Sequence, residues 1–281
     1  MKGVAWFVLS LVISNLNDIA AKFLITRLDP MEVACLRFFW SIISLLPCIM
    51  WYGLTCLRTG SIKIHLIRGS LFYIAIAMWI WGVGVVPLST VTTISFTVPI
   101  FVLLLAPTFL KEKVSLVLWV STVVCLIGTL FALEPFNQSF QPLSLLLLCS
   151  SLMFAILDVI NKKYIVQEGT IPMLFYSAVV SFVCSIPGAA ITWVQPTYNE
   201  LFSLALLGAG SNAILFCLLT SFKYIAASAL SPYRYLELIM SMVVGYVYFH
   251  EIPTVISCLG SVIIIISTLY IAKKQMKSKG V

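Results

Sequence analysis

Long apolar runs alternate with short polar or turn-forming segments along the chain, and the runs are of helical rather than strand length. Stretches such as 144–160 hold apolar residues without the every-second-residue alternation of a barrel strand. The pattern predicts membrane-crossing helices near 3–26, 31–53, 65–86, 88–110, 115–133, 142–164, 171–193, 199–222, 227–249 and 254–272. The runs end at turn or charge signals, and the loops between them are too short to hold a soluble domain. The first run continues past Asn15 to Ile25, so it is read as a helix of the mature chain rather than a cleaved leader.

Composition supports this reading. Of 281 residues, 61% are hydrophobic and 10% are charged, against about 45–50% and about 25% in soluble domains. A water-soluble fold would have to expose much of that apolar surface. A cytosolic enzyme, a nucleic-acid binder and a secreted disulfide scaffold are therefore excluded. The eight cysteines form no CxxC pair, and all but Cys56 fall inside apolar runs, so they read as small hydrophobes.

The net charge of +7 sits between the apolar runs. With the N-terminus inside, one face collects Lys2, Arg58, Lys63, Arg68, Lys111, Lys113, Lys162, Lys163, Lys223, Lys273, Lys274, Lys277 and Lys279, and the other only Lys22 and Arg27. That asymmetry predicts both termini in the cytoplasm.

The chain also compares with itself. Asn17-Asp18-Ile19 with Lys22 recurs as Leu157-Asp158-Val159 with Lys162, Pro30-Met31 as Pro172-Met173, and Leu46-Pro47 as Ile186-Pro187. Leu110-Lys111-Glu112 is answered by Phe249-His250-Glu251. Each half then carries five spans, and an odd number turns the second half upside down relative to the first. Inverted repeats are common in secondary transporters, which place their site near the midplane and expose it alternately to the two faces.

These features resemble the drug/metabolite transporter superfamily, EamA branch. One EamA-like unit lies near 4–133 and another near 143–272, followed by a basic cytoplasmic tail at 273–281. The resemblance implies an all-α polytopic membrane protein of ten transmembrane helices in two inverted five-helix repeats. Narrower stretches are Trp6-Phe7-Val8-Leu9-Ser10 with Asn17-Asp18, Leu36-Arg37-Phe38-Phe39, Asp158-Val159-Ile160-Asn161-Lys162-Lys163, Met173-Leu174-Phe175-Tyr176-Ser177-Ala178 and Pro232-Tyr233-Arg234-Tyr235-Leu236-Glu237-Leu238. They are similar to the S-adenosylmethionine uptake transporters of obligate intracellular bacteria. That narrower likeness implies S-adenosylmethionine as cargo, with S-adenosylhomocysteine as exchange partner, in a multi-pass protein of the bacterial inner membrane. Another EamA cargo (an amino acid, a nucleotide-like metabolite or a cationic drug) is the alternative.

Five ionisable residues fall within the expected spans: Asp18, Arg37, Asp158, Arg234 and Glu237. Burying a charge there costs at least about 2.5–3.5 kcal/mol, so each is either paired or functional. Arg234 and Glu237 stand three apart on the expected ninth helix and can meet. They form a structural ion pair, or else a fork for a carboxylate beside a negative charge for a cation. Asp18 and Asp158 each have a lysine four residues on, and read as local ion pairs or as cation-selecting vestibule carboxylates. Arg37 lies near the start of its span, where anchoring or snorkelling is expected.

Tyr233, Tyr235, Trp79, Trp81, Phe96 and Tyr176 complete the candidate substrate-binding set as flat faces for an adenine ring, with core packing the competing role for each. Pro99 and the segment Gly208-Ala209-Gly210-Ser211-Asn212 loosen helices or let them approach closely. No His-based triad, metal cluster or GxxxxGK[ST] phosphate loop is present in the sequence. The expectation is a transporter rather than an enzyme, with no cofactor, metal or nucleic acid. The lipid bilayer and a small solute are its partners, and no obligate protein partner is implied.

Overall fold

A computed structural model describes residues 2–25, 27–85, 94–133, 144–240, 243 and 255–278. The described residues are helical apart from turns and connecting segments. The long helices are α1 (Lys2–Ile25), α2 (Pro30–Tyr52), α3 (Ile62–Val85), α4 (Val98–Leu110), α5 (Leu116–Leu133), α6 (Ser144–Glu168), α7 (Thr170–Ile191) and α8 (Tyr198–Tyr224). A four-residue helix α9 (Ala227–Leu230) runs into a 3-10 turn at Ser231–Tyr235, and α10 (Val255–Ser278) closes the chain. Among the described residues, five segments are long and apolar enough to cross a bilayer: Pro30–Tyr52, Ile62–Trp79, Leu145–Glu168, Thr170–Ile191 and Tyr198–Tyr224. The protein is a polytopic helical membrane protein.

Local chemistry sets the helix starts. Asp29 caps α2 by accepting from the Met31 N–H at 2.8 Å, with Pro30 in the first turn. Thr197 and Glu200 form a capping box on α8. Gly169, at φ 79°, turns the chain between α6 and α7 in a conformation that favours glycine. The two prolines that matched in the self-comparison, Pro47 and Pro187, both lie inside helices, α2 and α7.

The packing also repeats. α1 lies along α8 as α6 lies along α3, α2 packs on α8 as α7 packs on α3, and α2–α7 and α5–α10 pair across the two halves. Small residues permit the closest of these approaches. A Cβ at Gly208 would stand 2.7 Å from the Ser41 backbone nitrogen, and one at Gly210 would stand 2.5 Å from Asn17 Oδ1. The glycine-rich segment of α8 therefore serves helix packing.

One end of the bundle gathers the start of α1, which packs on Tyr224 and Ile225, and the finish of α6. Lys223 Nζ donates to Thr170 Oγ1 there at 2.8 Å, and the Ala227 N–H donates to Glu112 Oε1 at 3.0 Å. Exposed Arg58, Lys63, Lys111, Lys113, Lys163 and Lys223 lie at or beside these contacts. At the other end Arg27 pairs with Glu200, and the Val194 N–H donates to Glu32 Oε2 at 3.0 Å. The hydrogen bond to Glu200 raises the affinity of Arg27 for its proton further, and the nearby charges of Glu200 and Glu32 act in the same direction.

Two cations counted on the basic face, Arg68 and Lys162, turn inward. Arg68 is 2% exposed inside the bundle, and Lys162 donates to the Phe222 and Ile225 carbonyls. The expected fourth and ninth spans are also broken rather than continuous. α4 begins at Val98, with Pro99 in its first turn after a bend at 96–97. In the ninth, Pro232 has no N–H for a helical bond, and the chain passes through 3-10 geometry before residues 236–240 resume α-helix.

Candidate functional site

The broken ninth segment places Arg234 on the 3-10 turn, facing α6. Arg234 Nη2 donates to Asp158 Oδ2 at 2.6 Å. This is the central polar contact of a pocket lined by Phe7, Pro99, Val102, Phe222, Leu230 and Ser231, among others. Asp158 lies ten residues before the end of α6, about 15 Å along its axis at 1.5 Å per residue, so the pocket lies inside the bundle toward the basic end. Its empty volume is about 230 Å³ with open solvent included, so the enclosed space is smaller still. Enclosing a larger solute requires the flanking helices to part.

Arg234 therefore meets Asp158, seventy-six residues away in sequence, where a local contact with Glu237 was expected. Asp158 in turn does not pair with Lys162, whose ammonium is taken up by the two carbonyls at the end of α8. The 3-10 turn is the physical reason for the first change, since it rotates Arg234 relative to the α-helical residues that follow. Glu237, half-buried on the next turn, has interactions of its own.

The aromatic candidates separate. Tyr235 stacks on Phe96, with ring centroids 5.4 Å apart at 19°, and its hydroxyl donates to the Phe96 carbonyl at 3.0 Å. Both are buried with Cys125, Leu238 and Ile264, so each occupies the other's ring face rather than a cavity wall. The bond also satisfies a carbonyl freed by the bend before Pro99, which has no N–H to offer it. Trp79 packs on Leu147 and edge-on to Phe154.

Tyr176 donates to the Leu57 carbonyl at 3.1 Å and lies against His65, at the basic end and away from the pocket. Tyr233 sits in the core cluster that includes the pocket residues Phe7, Val102 and Leu230, and its buried hydroxyl has no partner among the described residues. The side chains of Asp18, Lys22 and Trp81 lie outside the described residues. Arg37 reaches across to α8, where its Nε donates to Ser211 Oγ at 2.5 Å, so it joins two helices instead of snorkelling.

Sequence reading missed a second polar cluster, where α3, α6 and α7 meet. Arg68 donates to Asn161 Oδ1 at 2.8 Å and to the Met173 carbonyl at 3.4 Å. Glu168 Oε2 accepts from Thr59 Oγ1 at 2.5 Å and from the Gly60 N–H at 3.1 Å, and lies 3.3 Å from His65 Nε2. Arg68 and His65 stand one turn apart on α3, a spacing that could have exposed the cluster. No group of three or more His, Cys, Asp or Glu that could hold a metal occurs among the described residues.

A helical membrane bundle with an ion pair set in a mostly apolar internal pocket has the make-up of a solute carrier. The EamA-like transporter family matches at residues 1–133 and 142–273, and the chain belongs to that family. The S-adenosylmethionine uptake transporter of Rickettsia bellii (strain RML369-C) is 44% identical over 276 residues, covering 98% of this chain and 95% of that one. Its counterpart in Rickettsia prowazekii (strain Madrid E) is 43% identical, covering 99% and 96%. The riboflavin transporter of Vibrio cholerae serotype O1 is 26% identical, covering 99% and 95%. A solved crystal structure, 15% identical, superposes with a TM-score of 0.81 over 98% of both chains, a likeness of fold.

Proposed function

We propose that this protein imports S-adenosylmethionine across a bacterial inner membrane by alternating access, in exchange for S-adenosylhomocysteine. The observation that carries this reading is the 44% identity, over nearly the whole chain, to the Rickettsia bellii uptake transporter. The pocket chemistry is consistent with that cargo, which bears a sulfonium, an ammonium and a carboxylate. Arg234 offers the carboxylate a planar fork, and Asp158 beside it attracts a cationic group.

The carrier is read as ten transmembrane helices in two inverted five-helix repeats, 4–133 and 143–272, with a basic tail at 273–281 and both termini in the cytoplasm. This is supported by the reciprocal packing of the two halves. The shared end of the α1 start and the α6 finish, and the cations exposed there, support it too. A second reading, a flavin-like or other EamA cargo, draws on the 26% identity to the Vibrio riboflavin transporter.

The deciding experiment is uptake of labelled S-adenosylmethionine into proteoliposomes, with a panel of unlabelled competitors. Saturable uptake that S-adenosylhomocysteine suppresses and riboflavin leaves unchanged is the expected result. Absence of uptake, or stronger competition by riboflavin than by S-adenosylhomocysteine, would overturn the assignment.

A further inference from the structure

We propose that the Asp158–Arg234 ion pair is the resting form of a receptor for an α-amino acid headgroup. The headgroup's ammonium takes Asp158, its carboxylate takes Arg234, and the protein's own bond opens to admit them. The inference rests on the reading of this pocket as the solute site and adds which end of the solute it holds.

Two arginines within the bundle, Arg68 and Arg234, make the case by contrast. Arg68 is sealed and has partners on three helices: His65 on its own helix, Asn161 on α6 and the Met173 carbonyl on α7. That is an arginine built into a scaffold. The Arg234 side chain makes one hydrogen bond among the described residues, from Nη2, and Asp158 accepts that bond alone, through Oδ2. A guanidinium carries five N–H donors and binds a carboxylate best through two of them, so donors remain for a ligand. Both side chains line the pocket, at 22% and 10% exposure, whereas the Arg68 residue is 2% exposed. Arg234 also stands on a 3-10 turn, whose weaker backbone bonding lets it shift more readily than an α-helical position.

Charge balance selects the ligand class. The remaining wall includes Phe7, Val102, Phe222 and Leu230. A ligand with a single charge would part the pair, satisfy one member and leave the other unpaired against those side chains, which is strongly unfavourable. A molecule with an ammonium and a carboxylate on the same carbon replaces one ion pair by two and leaves neither Asp158 nor Arg234 without a partner.

The test compares inhibition of labelled S-adenosylmethionine uptake by the full-length protein in proteoliposomes. The competitors are unlabelled S-adenosylmethionine, its decarboxylated form, and 5′-methylthioadenosine, which lacks the amino acid altogether. Each truncated compound is expected to inhibit at least about tenfold more weakly, a factor that corresponds to 1.4 kcal/mol. Equal inhibition by the decarboxylated form would overturn the inference while leaving the uptake reading intact. Stabilisation of the detergent-solubilised protein by the same compounds, read from its melting temperature, asks the question without transport. Absence of stabilisation by all three, S-adenosylmethionine included, would overturn both readings.

The double exchange Asp158→Arg with Arg234→Asp keeps an ion pair but reverses it. It is expected to yield folded protein without uptake, whereas normal uptake would make the pair structural and overturn the proposal. Arg234→Lys keeps the charge without the fork, so it tests the same point should the exchanged protein fail to fold. A KM raised about tenfold is expected, and an unchanged KM would overturn it.

Discussion

Arg68 Nε donates to Asn161 Oδ1 at 2.8 Å, tying α3 to α6 where neither side chain reaches solvent. The guanidinium is fixed by α6 and α7 together, and Glu168 at the end of α6 closes the same cluster through Thr59, Gly60 and His65. The three helices are thereby pinned at the basic end, next to the half of the bundle that holds the pocket.

Asn161→Ala removes that acceptor and leaves a buried cation short of a partner. A hydrogen bond to a charged group contributes about 1.5–3 kcal/mol, and an unsatisfied buried group costs a comparable amount. The melting temperature of the detergent-solubilised variant is expected to fall clearly, with KM for uptake unchanged in the folded fraction. An unchanged melting temperature would remove the cluster from the scaffold.

Tyr235→Phe keeps the ring stacked on Phe96 but leaves the Phe96 carbonyl without its hydroxyl donor. A loss of about 1–3 kcal/mol in stability is expected, with substrate affinity retained. Loss of affinity at full stability would return Tyr235 to the binding set.

Gly208→Ala places a methyl 2.7 Å from the Ser41 backbone nitrogen, which cannot yield without moving α2. At Gly210 the obstacle is the Asn17 side chain, which can rotate. Gly208→Ala is therefore expected to be the more damaging change, by about 1–3 kcal/mol of overpacking strain. Folded yield and melting temperature of the two variants decide it, and the reverse order would refute the packing account.

The proposed topology places Lys63 and Lys273 in the cytoplasm. Single cysteines at these positions in a cysteine-less background are expected to resist an impermeant thiol reagent applied to intact cells and to react after permeabilisation. Labelling of either position from outside intact cells would reverse the orientation.

The proposed exchange of a cationic substrate for its neutral demethylated product would carry one positive charge inward per cycle. An inside-negative potential then favours uptake by about 2.3 kcal/mol per 100 mV. In vesicles loaded with S-adenosylhomocysteine, a valinomycin potential is expected to accelerate uptake with no pH gradient. Dependence on a proton gradient with indifference to the potential would replace exchange by proton coupling.

The solvent and the element type were already determined by the sequence. A chain with so few charges, in runs long enough to cross a bilayer, can satisfy its backbone there only through helices or a closed barrel, and the missing alternation leaves helices. The paired motifs were legible because duplicated units keep their local features, as Pro47 and Pro187 inside α2 and α7 illustrate. Periodicity could also single out Asp158 and Arg234, since charges in apolar runs stand out wherever they point.

Partner choice was decided by the tertiary structure. Local spacing offered Glu237 to Arg234 and Lys162 to Asp158, because on an ideal helix residues three or four apart are neighbours. Pro232 breaks that ideal geometry, α6 brings Asp158 across, and the free carbonyls at the end of α8 claim Lys162. The same holds for the aromatic residues. Whether Tyr235 faces a ligand or Phe96 depends on how two interrupted segments, 139 residues apart, meet in space. No window of sequence contains that information, because long-range packing rather than local propensity sets which face of each segment is buried.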